Sequence, residues 1–173
     1  MKNVKAVIEA IIFASETPLT AGKIREVLGE IERSEIIDVL HDLVVEYNER
    51  NGGFYLKEIA GGFQFRTRDD LGVWIKKLKR TRPAKLFPAA METLAVVAYR
   101  QPVVKSEIDR VRGVDAGGVL SGLLEKNLVR MVGRKDVPGR PILYGTTKKF
   151  LEVFDLKSLS ELPTVPELKE LSE

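Results

Sequence analysis

Apolar residues recur at intervals of three and four along the first fifty positions, which is the spacing of amphipathic helices. The pattern predicts a helix over residues 4–15 that Pro18 ends, and a short second helix capped by Thr20 and stopped by Gly29. A third predicted helix runs from about Ser34 to the Asn-Gly-Gly that follows it. Its apolar stripe is Ile37, Leu40, Val44 and Tyr47.

The period then changes from helical to alternating, which indicates β-strands. The stretches FYLKEI and FQFRT predict a hairpin that turns near Gly61, with Phe63 and Phe65 on the same face. A further helix is predicted over residues 69–79, where apolar residues return to helical spacing. The first half of the chain is thus predicted as three helices, a hairpin and one more helix.

The second half repeats this order of elements. A helix is predicted from Pro88 to just before Pro102, a short one stops at Gly113, and a third follows the capping residue Asp115. Two strands, LVRMVG and ILYGTT, and a last helix, TKKFLEVF, complete it. At a constant offset of 84 residues, Ala14, Pro18, Ile24, Val27 and Gly29 match Ala98, Pro102, Ile108, Val111 and Gly113. A duplicated unit explains this fixed spacing better than chance does.

Three helices and a hairpin, with a tight turn between the second and third helices, form a helix-turn-helix arrangement with a wing. The sequence therefore predicts a mainly α protein with small β-hairpins, an α+β fold of two tandem winged-helix domains. The basic, acid-free stretch at 76–85 is the predicted boundary. We expect an N-terminal domain at 1–80, a C-terminal domain at 81–160 and a short tail at 161–173.

The composition is that of a globular protein, with 44% hydrophobic residues and no cysteine. The lack of cysteine excludes disulfides, thiolate zinc sites and cysteine nucleophiles, and it favours a reducing compartment. No apolar run approaches the roughly 20 residues that cross a bilayer, so we expect a cytoplasmic protein without a membrane partner. The net charge of +3 is uneven, because residues 1–80 hold 13 basic and 13 acidic side chains and residues 81–157 hold 14 and 8.

The residue types that catalysis requires are scarce. The sole histidine, His41, lies within a predicted helix, and the chain has no cysteine or second histidine to complete a metal site or a catalytic dyad. The glycines at 113–118 lack the Lys-Ser/Thr pair of a phosphate loop. We interpret Gly117, Gly118 and Gly122 as a small-residue helix face, either for close packing in the core, which we favour, or for docking. The sequence predicts no enzyme activity, no cofactor and no metal.

Winged helices often bind DNA, the third helix reading bases and the wing touching phosphate. The third helix of the first half carries five carboxylates, which repel phosphate, and its counterpart in the second half offers little that reads base edges. The wing, GRKDVPGRPILYG at 133–145, is cationic, and its Val137-Pro138-Gly139-Arg140 has the pattern of a type II turn. A preformed loop of this kind suits a protein partner as well as DNA. We expect weak or no direct DNA binding, with a winged-helix transcriptional regulator as the alternative.

The blocks AYRQP, IDRVRGV, GRKDVPGRP and LYGTT, in this order, closely resemble the second domain of the bacterial segregation and condensation protein B (ScpB) family. The resemblance is strong over residues 88–163, and the first half agrees in its order of elements and in the segment FASE-x-PL. It implies two winged-helix domains, a homodimer formed mainly by the first domains, and binding of the kleisin ScpA mainly by the second domains. Through ScpA, such a dimer joins the SMC ATPase in a condensin-like complex for chromosome condensation and partition during cell division, at the nucleoid.

The resemblance also implies an adaptor without catalysis, since ATP hydrolysis belongs to SMC. For the kleisin-binding surface we expect residues of the AYRQP corner and the wing: Tyr99, Arg100, Gln101, Arg134, Lys135, Arg140 and Tyr144. For the dimer interface we expect three apolar positions of the first domain: Ile11, Phe13 and Leu19.

Overall fold

The computed structural model describes residues 3–79 and 86–164. These residues form two compact units, the first made of 3–79 together with 155–164 and the second of 86–154. Each unit combines α-helices with a small antiparallel sheet. Most of the predicted boundary segment, at 80–85, and most of the predicted tail, at 165–173, lie outside the described residues.

Three helices open the first unit, and local capping chemistry sets where they begin. The Asn3 side chain accepts a hydrogen bond from the Ala6 amide, and the hydroxyl of Thr20 accepts one from the Lys23 amide at 3.1 Å, as predicted for Thr20. Gly29, with φ of +79°, stops the second helix. The helices are α1 (Val4–Ala14), α2 (Ala21–Leu28) and α3 (Arg33–Glu49).

The core of the first unit lies beneath α3, where Ile36, Leu40, Leu43 and Tyr47 are buried. The predicted stripe was therefore partly wrong, since it contained half-buried Ile37 and Val44 in place of Ile36 and Leu43. Both stripes have helical spacing, and the buried one is the stripe that packs in the same core cluster as Ile8 and Ile12 of α1. The Tyr47 hydroxyl donates a hydrogen bond to Glu9, which also links α1 to α3 and raises the pKa of Tyr47 to about 12.

A two-stranded hairpin follows, made of β1 (Phe54–Ile59) and β2 (Gly62–Thr67). The turn residues Ala60 and Gly61 both have positive φ, as a type I′ turn requires. Phe63 is buried and Phe65 packs against the same core, which confirms that they share a face. A short 3-10 turn and α4 (Gly72–Lys79) end this part of the unit.

Residues 155–164 belong to the first unit, whereas the sequence predicted a second domain that extends to residue 160. The Ala60 amide donates to the Leu156 carbonyl at 2.9 Å, Lys157 pairs with Glu58 at 2.7 Å, and Lys57 pairs with Asp155. These contacts join residues about 100 positions apart, so local sequence patterns carry no sign of them.

The second unit consists of four helices and a three-stranded antiparallel sheet of order β3-β5-β4. The two residues of β3 pair with β5, a strand that the sequence did not predict because two residues are too few to show an alternating pattern. The elements are α5 (Pro88–Arg100), β3 (Val103–Val104), α6 (Lys105–Arg112), α7 (Gly117–Glu125), β4 (Val129–Arg134), β5 (Ile142–Thr146) and α8 (Lys148–Val153).

The junction between α6 and α7 differs from the prediction that Asp115 caps α7. The residue before α7 is Ala116, and its amide donates to the carboxylate of Asp109 in α6 at 2.9 Å. Lys105 pairs with both Asp109 and Asp115, so Asp115 stabilises the turn from outside the helix. In the described parts of the chain, no helix is long and apolar enough to cross a membrane.

Candidate protein-binding surface

The corner at the end of α5 presents Tyr99 and Arg100 to solvent, with Tyr99 about 41% exposed. Gln101 behaves differently, because its side chain bonds within the unit. Its amide nitrogen donates to the Ala98 carbonyl at 3.1 Å and to the Thr146 hydroxyl at 3.0 Å, and its amide oxygen accepts from the Thr146 backbone at 2.8 Å. Gln101 therefore fastens the corner to β5 and leaves Tyr99 and Arg100 as its exposed groups.

The β4–β5 hairpin corresponds to the predicted wing, and every residue from Arg130 to Arg140 is exposed. Its tip is the predicted turn: the Arg140 amide donates to the Val137 carbonyl at 2.9 Å, and Gly139 has φ of +84°. The Lys135 amide donates to the Pro141 carbonyl at 2.9 Å and closes the loop from the other side. The tip is consequently held in one shape by its own backbone bonds.

The charges of this hairpin are of two kinds. Lys135 pairs with Glu107 of α6 at 2.8 Å, and this contact lowers the pKa of Glu107 below its usual value. The Arg134 guanidinium donates to the Arg140 carbonyl at 3.0 Å. Within the described ranges neither Arg134 nor Arg140 forms a salt bridge, so the positive charge of each is exposed and not neutralised by a neighbouring carboxylate.

Tyr144 faces inward, with only 9% of its surface exposed. It lies in β5 opposite Val103 on one side and Met131 on the other. Its ring therefore belongs to the unit's interior, and β5 is the strand that connects the α5 corner to the hairpin. Of the seven residues predicted for kleisin contact, the structure exposes five and gives Gln101 and Tyr144 mainly internal contacts.

The three residues predicted for dimerisation also divide. Ile11 is half-buried against the core of the first unit, and half-buried Leu19 exchanges two backbone hydrogen bonds with Phe63, at 2.9 and 2.8 Å. Phe13 is 74% exposed, and among the rings of the described residues it lies near Phe65 alone, in an edge-to-face arrangement with 6.3 Å between the ring centroids. Phe13 is thus the one of the three that presents a large apolar side chain to solvent.

The glycines of α7 were interpreted as a close-packing face, and this was wrong for two of them. A Cβ atom added at Gly118 or Gly122 would meet no atom of the described residues within 4 Å outside the backbone of its own helix. Gly122 instead lines an open groove beside α5. The sequence shows the small residues of α7, but it does not show whether another helix or strand of the protein packs against them.

Charge on the third helix of the first unit is concentrated on its exposed side. Five acidic residues of α3 are exposed to solvent: Glu35, Asp38, Asp42, Glu46 and Glu49. Among them, Glu46 pairs with Lys5 of α1. His41 is exposed between these acids, and no group of three or more His, Cys, Asp or Glu in the described ranges is arranged to hold a metal ion.

Comparison with known proteins identifies relatives of this chain. A family model described as segregation and condensation complex subunit ScpB matches residues 6–165. Segregation and condensation protein B of Syntrophotalea carbinolica is 46% identical over 170 residues, which cover 98% of this chain and 86% of that protein. Its counterpart in Myxococcus xanthus is 44% identical over 171 residues, which cover 99% of this chain and 52% of that longer protein.

Among solved structures, a crystal structure of a dimer of an ScpB N-terminal domain complexed with an ScpA peptide is 31% identical to this chain, with a TM-score of 0.40. The match covers 44% of this chain and 95% of that one. The family assignment rests on the sequence matches, which extend through both units. The chain belongs to the ScpB family of segregation and condensation complex subunits.

Proposed function

We propose that this protein is a non-catalytic adaptor subunit of an SMC–ScpA–ScpB complex that acts in chromosome condensation and partition during cell division. The observation that carries the proposal is the match of a complex-subunit family over residues 6–165. In this role the protein binds the kleisin ScpA as a homodimer and reaches the SMC ATPase through ScpA. Its place is the nucleoid in the cytoplasm.

Each unit is proposed to be a winged-helix domain. The order of three helices followed by an antiparallel hairpin, in both units, supports this description. The first domain is proposed to comprise residues 1–80 and the second residues 81–160, although residues 155–164 form part of the first compact unit. The first domains are assigned to the homodimer, for which exposed Phe13 supplies an apolar contact.

The kleisin surface is assigned to the corner and the hairpin of the second unit, through Tyr99, Arg100, Arg134 and Arg140. Gln101 and Tyr144 support this surface from behind, and Lys135 contributes through its pair with Glu107. A hairpin tip held by its own backbone bonds loses little entropy when a partner binds, which favours its use as a contact surface.

A DNA-binding regulator is the second candidate, and the cationic hairpin is the observation that favours it. Two features count against it. The exposed carboxylates of α3 repel phosphate, and the exposed residues of α7, which are Gly118, Ser121 and Glu125, include no Arg, Lys, Asn or Gln to read base edges. A gel-shift titration at several salt concentrations separates the candidates. The adaptor predicts no shift at micromolar protein, whereas a preferred site with a steep salt dependence would favour the regulator.

Calorimetric titration of the full chain with ScpA tests the proposed surface. The double variant Arg100→Glu/Arg140→Glu is expected to weaken binding at least about tenfold, because two exposed charges are reversed at the contact. The matched control is Arg25→Glu/Arg110→Glu, which changes the net charge equally at exposed arginines elsewhere. Equal loss in both variants would indicate a general charge effect, and unchanged binding by the first variant would remove the surface from the proposal.

A further inference from the structure

The segment that follows α8, residues 155–162, belongs to the first unit although it directly continues the second. The chain therefore passes between the two units twice, first between α4 and α5 and again after α8. At the second passage, the ring of Phe154 lies 4.8 Å from that of Phe150 in α8, measured between centroids. The next residue, Asp155, already contacts Lys57 of β1. No described residue is thus left as a free linker at this passage.

Asp155 turns the chain at this point and binds it to the β1–β2 hairpin. Its φ of +58° lies in the left-handed region, which aspartate and asparagine enter more readily than most other residues. Its carboxylate pairs with Lys57 of β1 and lies 3.8 Å from the Arg66 Nε of β2. Its carbonyl accepts a hydrogen bond from the Lys57 ammonium at 3.0 Å. Asp155 therefore contacts both strands of the hairpin.

Two further contacts fasten residues 155–162 to the hairpin. Lys157 pairs with Glu58 at 2.7 Å, and the Ala60 amide donates to the Leu156 carbonyl at 2.9 Å. The segment also closes on itself, because the Lys157 amide donates to the Glu161 carboxylate at 2.6 Å. Ala60 lies in the two-residue turn of the hairpin, outside the ladder of paired residues, so its hydrogen bond reports this attachment alone.

The attachment is made by polar groups and buries little apolar surface. No residue from 155 to 164 is buried, and none of them belongs to the hydrophobic core of the first unit. Exposed ion pairs contribute little individually and are screened by salt. Segments with few buried apolar contacts open locally at free energies well below that of global unfolding. These contacts therefore favour an attachment that opens while both units stay folded.

We propose that residues 155–162 form a releasable clasp, which closes through its ion pairs with β1 and β2 and opens as ionic strength rises. While the clasp is closed, both passages of the chain limit the movement of the second unit relative to the first. When it opens, the passage after α8 becomes a linker and only the passage between α4 and α5 stays as it was. The inference concerns movement within the chain and does not depend on the proposed adaptor function.

A charge swap tests the clasp without depending on a single variant. Lys157→Glu and Glu58→Lys each place like charges side by side and are expected to open the clasp. The double variant Glu58→Lys/Lys157→Glu restores an ion pair of reversed polarity and is expected to close it again. Asp155→Asn removes a charge but keeps a residue that tolerates positive φ. The matched control is Lys149→Glu, which makes the same charge change as Lys157→Glu at an ion pair with Glu152 inside α8.

Hydrogen exchange of the Ala60 amide, followed by NMR on the full chain, measures the opening. Exchange is expected to be about fivefold faster in Lys157→Glu and in Asp155→Asn than in the unaltered chain. The charge swap and Lys149→Glu should each lie within about twofold of the unaltered chain. Raising the salt from about 0.1 M to about 1 M should speed the exchange of the unaltered chain about threefold, because the Debye length falls to ~3 Å. The Phe63 amide of β2 is the internal reference, since it does not bond to the clasp.

Single-molecule energy transfer between two dyes measures the movement between the units. The chain has no cysteine, so the dyes can be attached to cysteines introduced at exposed Arg25 in the first unit and exposed Arg110 in the second. Labelled chains are diluted into an excess of unlabelled ones, so that each pair of dyes reports on one chain. The distribution of transfer efficiency is expected to broaden in Lys157→Glu and to narrow again in the charge swap.

Three outcomes would overturn the inference. If the Ala60 amide exchanges at the same rate in Lys157→Glu as in the unaltered chain, the ion pairs do not hold the segment. If the amides of Ala60 and Phe63 accelerate together, the hairpin opens as a whole and the clasp is not a separate element. If Ala60 accelerates while the transfer distribution stays the same, opening the clasp does not free the units. None of these outcomes involves ScpA, so the proposed function stands or falls separately.

Discussion

At the scale of single residues, a small charged cluster holds the turn between α6 and α7. Lys105 contacts Asp109 at 2.7 Å as well as Asp115, and the Ala116 amide donates to Asp109. The Lys105 ammonium and the Ala116 amide together hold the pKa of Asp109 below its usual value. The pairs that Lys105 forms with Asp109 and Asp115 raise the pKa of Lys105. Asp109 thus bonds to the residue that directly precedes α7.

This cluster predicts a pH dependence of stability. Because Asp109 has a lower pKa in the folded protein than in the unfolded chain, its contribution is complete above the ordinary value of 3.8 and is lost as pH falls below it. Asp109→Asn is therefore expected to be less stable than the unaltered protein at pH 7, and the difference should shrink toward pH 3. Urea unfolding at several pH values measures it, with Asp136→Asn on the exposed hairpin as the control. A difference that stays constant with pH would contradict the assignment.

Gln101 offers a second prediction at this scale. Replacing it by leucine removes the bonds to Thr146 and to the backbone, leaving buried polar groups without partners. The free energy of unfolding should fall by about 1–3 kcal/mol. Arg100→Ala, next to it and exposed, should change stability by no more than about 0.5 kcal/mol. Urea unfolding of both variants separates a positioning residue from a contact residue. If Gln101→Leu left the free energy of unfolding unchanged, the structural role of Gln101 would be refuted and its prediction as a contact residue would stand.

At the scale of elements, glycine has opposite roles in the two units. Gly62 begins β2 where the chain passes the backbone of Pro18 and Leu19, and a Cβ atom there would lie 2.9 Å from their carbonyl carbons. Gly118 of α7 has open space around it. The first glycine permits a close approach between the hairpin and the segment before α2, and the second leaves a helix surface bare.

The contrast predicts opposite effects of the same substitution. Gly62→Ala should lower the free energy of unfolding by about 1–3 kcal/mol, because backbone atoms must move to admit the methyl group. Gly118→Ala should raise it by up to about 1 kcal/mol, because alanine favours the helix. Denaturant unfolding of the two variants checks both signs. If Gly62→Ala left the free energy of unfolding unchanged, the close approach of the hairpin to the Leu19 backbone would not limit the size of residue 62.

Elements that local chemistry determines were predictable from sequence. The cap at Thr20, the positive-φ turn at Gly61 and the turn at 137–140 are read from residue types and short spacings. The predicted buried stripe of α3 was wrong by one residue at two positions, where Ile36 and Leu43 are buried in place of Ile37 and Val44. Only the contact with α1 distinguishes the two stripes. The two-residue β3 and the return of residues 155–164 depend on pairing with distant segments, and no local pattern encodes that.

The candidate surfaces show the same division. Exposed Arg134 and Arg140 were identified from a turn motif rich in charge, and the turn itself is as predicted. Tyr144 and Gln101 were selected from motif blocks, where a residue that supports the fold and one that faces a partner look alike. The groove beside Gly122 could not be predicted from the sequence, because its prediction requires knowing which elements pack against α7.

At the scale of the whole molecule, charge distinguishes the two halves. Residues 1–80 have equal numbers of basic and acidic side chains, while residues 81–157 have 14 basic and 8 acidic ones. The second unit also carries the cationic hairpin and the open groove beside α5, which has Lys126 at its rim. These features agree with membership of a family of complex subunits.

The most direct measurement is the mass of the full chain by light scattering during size-exclusion chromatography, alone and mixed with ScpA. Alone, the adaptor hypothesis predicts twice the 19.4 kDa mass of the chain at micromolar concentration. With ScpA, it predicts one species that contains two copies of the chain and at least one ScpA. A monomer that elutes separately from ScpA would contradict it.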